Sequence, residues 1–180
     1  FLSVCLELSA SLHLSEKNRI ILYVHNLAYE FQFINRLFQW VNVFSIDNRK
    51  PIYAISTLWI EFRCSYLLSG YSLAMLGKQL TTHKVKKMEG DLDYSLMRNS
   101  TTPLTDKELG YCVNDVRVVM AYIQEKLEQE GILSTLPITK TGYVRQYCRK
   151  RCLYLDGHKQ NRRYKELMDK LRINDLSEFD

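Results

Sequence analysis

Tyr23-Val24-His25-Asn26-Leu27-Ala28-Tyr29-Glu30-Phe31 is the stretch whose reading decides the fold. Just before and into it, Arg19-Ile20-Ile21-Leu22-Tyr23-Val24 is a short apolar run of strand-forming residues behind the polar segment 15–18, which predicts a buried strand. Beyond His25 the period changes. Leu27, Phe31, Ile34, Leu37 and Phe38 recur at helical spacing with Glu30 and Arg36 off that face, and Asn26 stands where a helix N-cap belongs. A polar junction between a buried strand and a helix is where α/β folds place their sites.

Working outward, residues 1–14 carry Leu2, Leu6, Leu8 and Leu12 at mixed three-to-four spacing and predict an amphipathic helix. Three apolar runs, 41–46, 51–55 and 58–66, are separated by Asp47-Asn48-Arg49 and Ser56-Thr57 and predict an antiparallel meander. Residues 72–80 read as a helix, and 81–102 as a polar, mostly irregular stretch. Thr105 with Glu108 has the form of a capping box, so a helix should run from there to Glu130 and stop at Gly131. Further helices are predicted over 141–154 and 162–171. The expected class is α/β, a mixed sheet flanked by helices, divided into a folded region 1–135 and a basic helical extension 136–180.

Composition agrees with one ordinary core and is not that of a disordered chain: 46% of residues are hydrophobic and 25% charged. Seven glycines and three prolines among 180 residues favour long regular elements over a many-turned β-sandwich. No apolar run reaches the roughly 18 residues of a membrane span, so no membrane partner is expected. Five cysteines, none in a CxxC pair, read as reduced-compartment usage, and the expected location is the cytoplasm. Cys148 and Cys152 lie four apart with no second pair to complete a zinc site. The net charge of +5 is regional: residues 1–139 balance 14 Lys+Arg against 14 Asp+Glu, whereas 140–172 hold 11 against 3. Such a basic region suits phosphates, or equally a solvated helix face.

Tyr111 and Asp115 are four apart on the helix after Thr105 and share a face. Asn114 and Asp115 interrupt an otherwise apolar course through Val113, Val116, Val118, Val119 and Met120, and a carboxylate there is costly unless a metal or a donor meets it. Taken singly, Tyr111 with Asp115 reads as a surface hydrogen bond and Glu30 as a solvated helix charge. Together, the two carboxylates lie on helices that each follow a strand-rich segment, where both can face one edge of a sheet.

Residues 23–31 resemble the second exonuclease motif of family B DNA polymerases, and Tyr111-Cys112-Val113-Asn114-Asp115 resembles the third. Between them, Glu89-Gly90-Asp91-Leu92-Asp93-Tyr94 is similar to a segment of the protein-primed polymerases of phages and linear plasmids. Order and spacing agree over about residues 18–130. The resemblance implies a ribonuclease H-like 3′→5′ exonuclease fold in which carboxylates hold two Mg²⁺ or Mn²⁺ ions for hydrolysis of single-stranded 3′ ends. A phosphodiester is already anionic, so one cation is needed to form hydroxide and another to stabilise the departing oxygen. On this resemblance Asp115 is a metal ligand, Glu30 fills a ligand position usually held by Asp, and Tyr111 orients the attacking water. Asn26 and Tyr29 match the family's single-strand-binding positions, and Ser65 with Tyr66 matches another.

The resemblance also has gaps. Glu89 stands where related chains carry a lysine, with Lys87 two residues earlier. Glu is one methylene longer than Asp, so Glu30 bears on whether the ligand is kept. The family's opening Asp-x-Glu strand has no counterpart in the 24 residues before His25, and Cys5-Leu6-Glu7 does not replace it, because a thiol is a poor Mg²⁺ ligand. The expectation is an N-terminally truncated proofreading domain of a DNA polymerase, inactive or nearly so by itself. Its partners would be a single-stranded 3′ end and primer-template DNA, with dNTP confined to a polymerase module outside this chain and a terminal protein as a further partner. The region around Thr139-Lys140-Thr141-Gly142-Tyr143-Val144-Arg145 resembles the connection into that module. A free-standing nuclease of the same fold, and a degenerate fold that holds single-stranded DNA without cutting it, remain open alternatives.

Overall fold

The computed structural model describes residues 1–47, 50–85, 97, 99, 101–155 and 159–170. They form two compact units, Phe1–Thr139 and Lys140–Asp180. The first opens with helix α1 (Leu2–Ser11), then strand β1 (Ile20–Val24) and helix α2 (Leu27–Ile34). Strands β2 (Trp40–Asp47), β3 (Lys50–Ser56) and β4 (Ile60–Cys64) follow, then helices α3 (Ser65–Ser69), α4 (Leu73–Gln79) and α5 (Asp106–Glu130) and a short 3-10 turn at Leu133–Thr135. The second unit holds α6 (Lys140–Leu153), the two-residue strands β5 (Tyr154–Leu155) and β6 (Lys159–Gln160), and α7 (Arg162–Lys170). No helix of the described residues is long and apolar enough to cross a membrane.

The molecule is an α/β protein built on a four-stranded mixed sheet of order β1-β4-β3-β2. β2, β3 and β4 form the antiparallel meander that the three apolar runs predict, and β1 joins β4 in parallel, with Ile20 opposite Ile60 and Val24 opposite Cys64. Every residue of β4 except Arg63 is buried, as a strand covered on both faces requires. On one face Phe62, Ile60, Cys64 and Ala54 meet Leu27 and Phe31 of α2, Cys5 of α1 and Phe38. The other alternation of β4 carries Glu61, 7% exposed, which is paired with Arg63 at 2.7 Å and Arg19 at 3.4 Å. A carboxylate so enclosed needs such partners.

Among the boundaries that differ from the sequence expectation, α1 ends at Ser11 rather than Leu14, and two others lie next to the elements that carry the site. The third run was expected to stay extended through Tyr66, but the strand ends at Cys64 and Ser65 already begins α3. α2 stops at Ile34 rather than continuing to Phe38, because Phe38 is used in the aromatic cluster with Trp40 and Phe62 at centroid distances of 5.5 Å each. The capping box is present as expected: Thr105 Oγ1 accepts from Glu108 N, the Glu108 carboxylate accepts from Thr105 N, and Gly131 closes the helix at φ 81°.

Candidate functional site

Because β1 and β4 run in parallel and in register, the chain leaves both at the same end of the sheet. His25 therefore meets Ser65 and Tyr66, forty residues on in sequence. The Ser65 hydroxyl donates to the Val24 carbonyl at 3.3 Å and lies 3.1 Å from His25 Nδ1. The hydroxyl has one hydrogen, so both contacts are satisfied together when it goes to Val24 and an Nδ1–H donates to Ser65 Oγ; with Nδ1 unprotonated, the hydroxyl serves one acceptor or the other. The imidazole also meets the Tyr66 ring edge to face, with centroids 5.8 Å apart. Ser65 is fully buried. Its side chain thus holds His25 in place, whereas Tyr66, 44% exposed, offers an open ring.

Asn26 turns the chain from β1 into α2 through a left-handed conformation, φ 62° and ψ 58°, that few residues other than glycine, Asn and Asp adopt cheaply. It stands at the N-cap position as expected, but its side chain does not cap the helix. The Leu27 amide instead donates to Cys64 Sγ at 3.4 Å, so a buried thiol from the neighbouring strand takes up one of the donors left open at the helix start. The Asn26 side chain is exposed. One turn on, Tyr29 is exposed and packs edge to face on Phe33 at 5.3 Å, while Glu30 is half-buried.

Tyr111 and Asp115 lie on a stripe of α5 that continues at helical spacing through Val118, Tyr122 and Glu125, all buried. Both are half-buried, and Asp115 Oδ1 is withdrawn from solvent. The apolar course that seemed to surround Asp115 in sequence splits in space: Val113, Val116 and Met120 are exposed on the opposite side, with Leu109. The pair thus belongs to the inward face of a helix that packs against β1 and α4.

Direct contacts bring His25 to Ser65 and Tyr66, with Asn26 next in chain; Glu30 lies on α2, which packs on β3 and β4, and Tyr111 and Asp115 lie on α5, which packs against β1. Glu30 and Asp115 offer the oxygen donors that Mg²⁺ or Mn²⁺ prefers. Among the described residues no three His, Cys, Asp or Glu side chains gather into one donor set. Lys87 and Glu89-Gly90-Asp91-Leu92-Asp93-Tyr94 lie outside the described residues.

Glu125 is the carboxylate that the sequence reading passed over. It is 6% exposed and accepts the amides of Thr81, Thr82 and His83 at 2.9, 2.7 and 2.8 Å and the Thr81 hydroxyl at 3.3 Å. Burial pushes its pKa up, but the four hydrogen bonds together outweigh burial and hold it below the usual carboxylate range. Glu128, one turn on, bonds His83 Nε2 at 2.8 Å. The clue in the sequence was a Glu at a position where the inward stripe 111-115-118-122 continues. Comparison with known proteins found no matching family model and no significant match to a curated protein or a solved structure.

Proposed function

We propose that the chain is most of the proofreading 3′→5′ exonuclease domain, of ribonuclease H-like type, of a family B DNA polymerase of the protein-primed kind, and that it grips a single-stranded 3′ end. The observation that carries the reading is the contact of His25, the neighbour of Asn26, with Ser65 and Tyr66. The two segments that the sequence resemblance assigns to the same DNA strand leave β1 and β4 at one end of the sheet, and the exposed Tyr29 and Tyr66 rings are surfaces on which bases can stack without regard to sequence. Tyr111 and Asp115 on the inward face of α5 supply a hydroxyl for positioning water and a carboxylate for a divalent cation. Hydrolysis by a pair of cations needs further oxygen donors beyond Glu30 and Asp115.

Glu30 in place of Asp favours a second reading, a fold that holds single strands without cutting them. One experiment separates the two. The full-length protein is given primer-templates with a mispaired 3′ end and Mg²⁺ or Mn²⁺, and Asp115→Ala is compared with wild type. Loss of about 100-fold or more of terminal-nucleotide release, with primer extension retained, is the expected outcome for a metal-site carboxylate. Equal degradation by both proteins sinks the role of Asp115, and wild-type protein that binds but never degrades selects the second reading.

A further inference from the structure

α6 is unusual as a helix. Its sequence, Lys140–Leu153, carries five Lys and Arg residues and no Asp or Glu, and buries no residue. A helix that is polar all round ordinarily relies on opposite-charge pairs one turn apart. Here the corresponding pair is Arg145 with Arg149, of like charge, and Arg149, Lys150 and Arg151 are consecutive. Among the described residues, none of Arg145, Arg149, Lys150 and Arg151 has an ion-pair partner. The last turn of a helix does favour cations, which accounts for Lys150 and Arg151 but not for Arg145 in the middle.

Aromatic rings are interleaved with this charge. Lys140, Tyr143, Tyr147 and Arg151 recur at three- and four-residue spacing and share a face, and the Arg151 guanidinium lies over the Tyr147 ring at 5.5 Å. Tyr147 remains 61% exposed. An acid-free array of cations calls for a polyanion, and an exposed ring backed by a guanidinium calls for a flat π-surface on that polyanion. Duplex DNA meets the first condition, but its bases are stacked on one another; single-stranded DNA meets both.

We infer that α6 is a docking surface for single-stranded DNA, with Arg145, Arg149, Lys150 and Arg151 on the phosphates and Tyr147 stacked on a base. The inference stands on α6 alone and does not rest on the exonuclease reading. α7 is not included, because Glu166 and Asp169 interrupt its cations.

The test is fluorescence anisotropy of the 180-residue chain with a labelled oligothymidylate in EDTA, which silences any contribution from divalent cations. The proteins compared are wild type, a triple variant Arg145→Gln, Arg149→Gln, Arg151→Gln, and the single variants Tyr147→Ala and Tyr147→Phe, each matched to wild type by circular dichroism. With three phosphate contacts gone, the slope of log affinity against log salt should fall in magnitude by about 2. Tyr147→Ala should weaken binding about ten-fold, and Tyr147→Phe, which keeps the ring, should bind like wild type. Duplex DNA and inorganic polyphosphate should compete poorly. An unchanged salt slope in the triple variant, or equal competition by duplex or polyphosphate, overturns the proposal. Binding in EDTA is the readout here, whereas release of the terminal nucleotide in Mg²⁺ or Mn²⁺ reads the exonuclease role, so failure here and failure of the exonuclease reading are told apart.

Discussion

At the scale of single residues, the arrangement hangs on Ser65. Its hydroxyl ties the end of β1 to the start of α3 and fixes the imidazole of His25 between two elements. Ser65→Ala should remove the Ser65 partner of His25 Nδ1, at a cost of about 0.5–1.5 kcal/mol in stability because the imidazole is only half-buried. Denaturant titration reads the stability, and nitrogen NMR of the imidazole reads the lost hydrogen bond. An unchanged His25 signal in Ser65→Ala would show that the bridge is not made in solution. The resemblance assigns Ser65 to DNA, but its side chain has no exposed surface, so under the proposed reading it would act through the His25 it holds. That distinction was not available from sequence, because burial of a serine depends on the parallel pairing of β1 with β4, and no local pattern announces which strands are neighbours.

At the scale of elements, α5 joins the candidate site to the loop after α4. Glu125 accepts three consecutive amides and a hydroxyl from residues 81–83, closing the end of α4 onto α5. Its lowered pKa gives this clamp a definite pH dependence. The unfolded carboxyl titrates near about 4.3, so the stabilisation is complete above that value and is lost as pH falls through the lower folded value. Glu125→Ala should cost about 1.5–3 kcal/mol at neutral pH, and Glu125→Gln should flatten the acid limb of a melting-temperature profile. An acid limb as steep in the Gln variant as in wild type would assign it to other carboxylates. The helix itself was legible from Thr105, Glu108 and Gly131, since capping chemistry is local. The partners of Glu125 were not, because they come from a segment more than forty residues earlier.

At the scale of the whole molecule, the fold class followed from periodicity, and the placement of the site followed from strand order. The change from strand to helix at His25-Asn26 was readable because both periods are strong and the left-handed turn between them tolerates Asn. The 1–4–3–2 order of the sheet was not readable, yet it alone carries Tyr66 to His25. What fixes that order is the packing of one face. Phe62 is 1% exposed at the centre of β4, with Phe38 at 5.5 Å and Trp40 at 5.6 Å, in the core that α1 and α2 cover. Phe62→Ala removes a side chain on which both helices and three strands converge, and should destabilise the first unit by about 3–5 kcal/mol. Phe62→Leu, which keeps much of the volume, should cost about half as much. Because Ser65 directly follows β4, loss of Phe62 should lower the melting temperature and free the His25 imidazole together. An Ala variant that melts with wild type would mean that the sheet order is held by something other than this aromatic cluster.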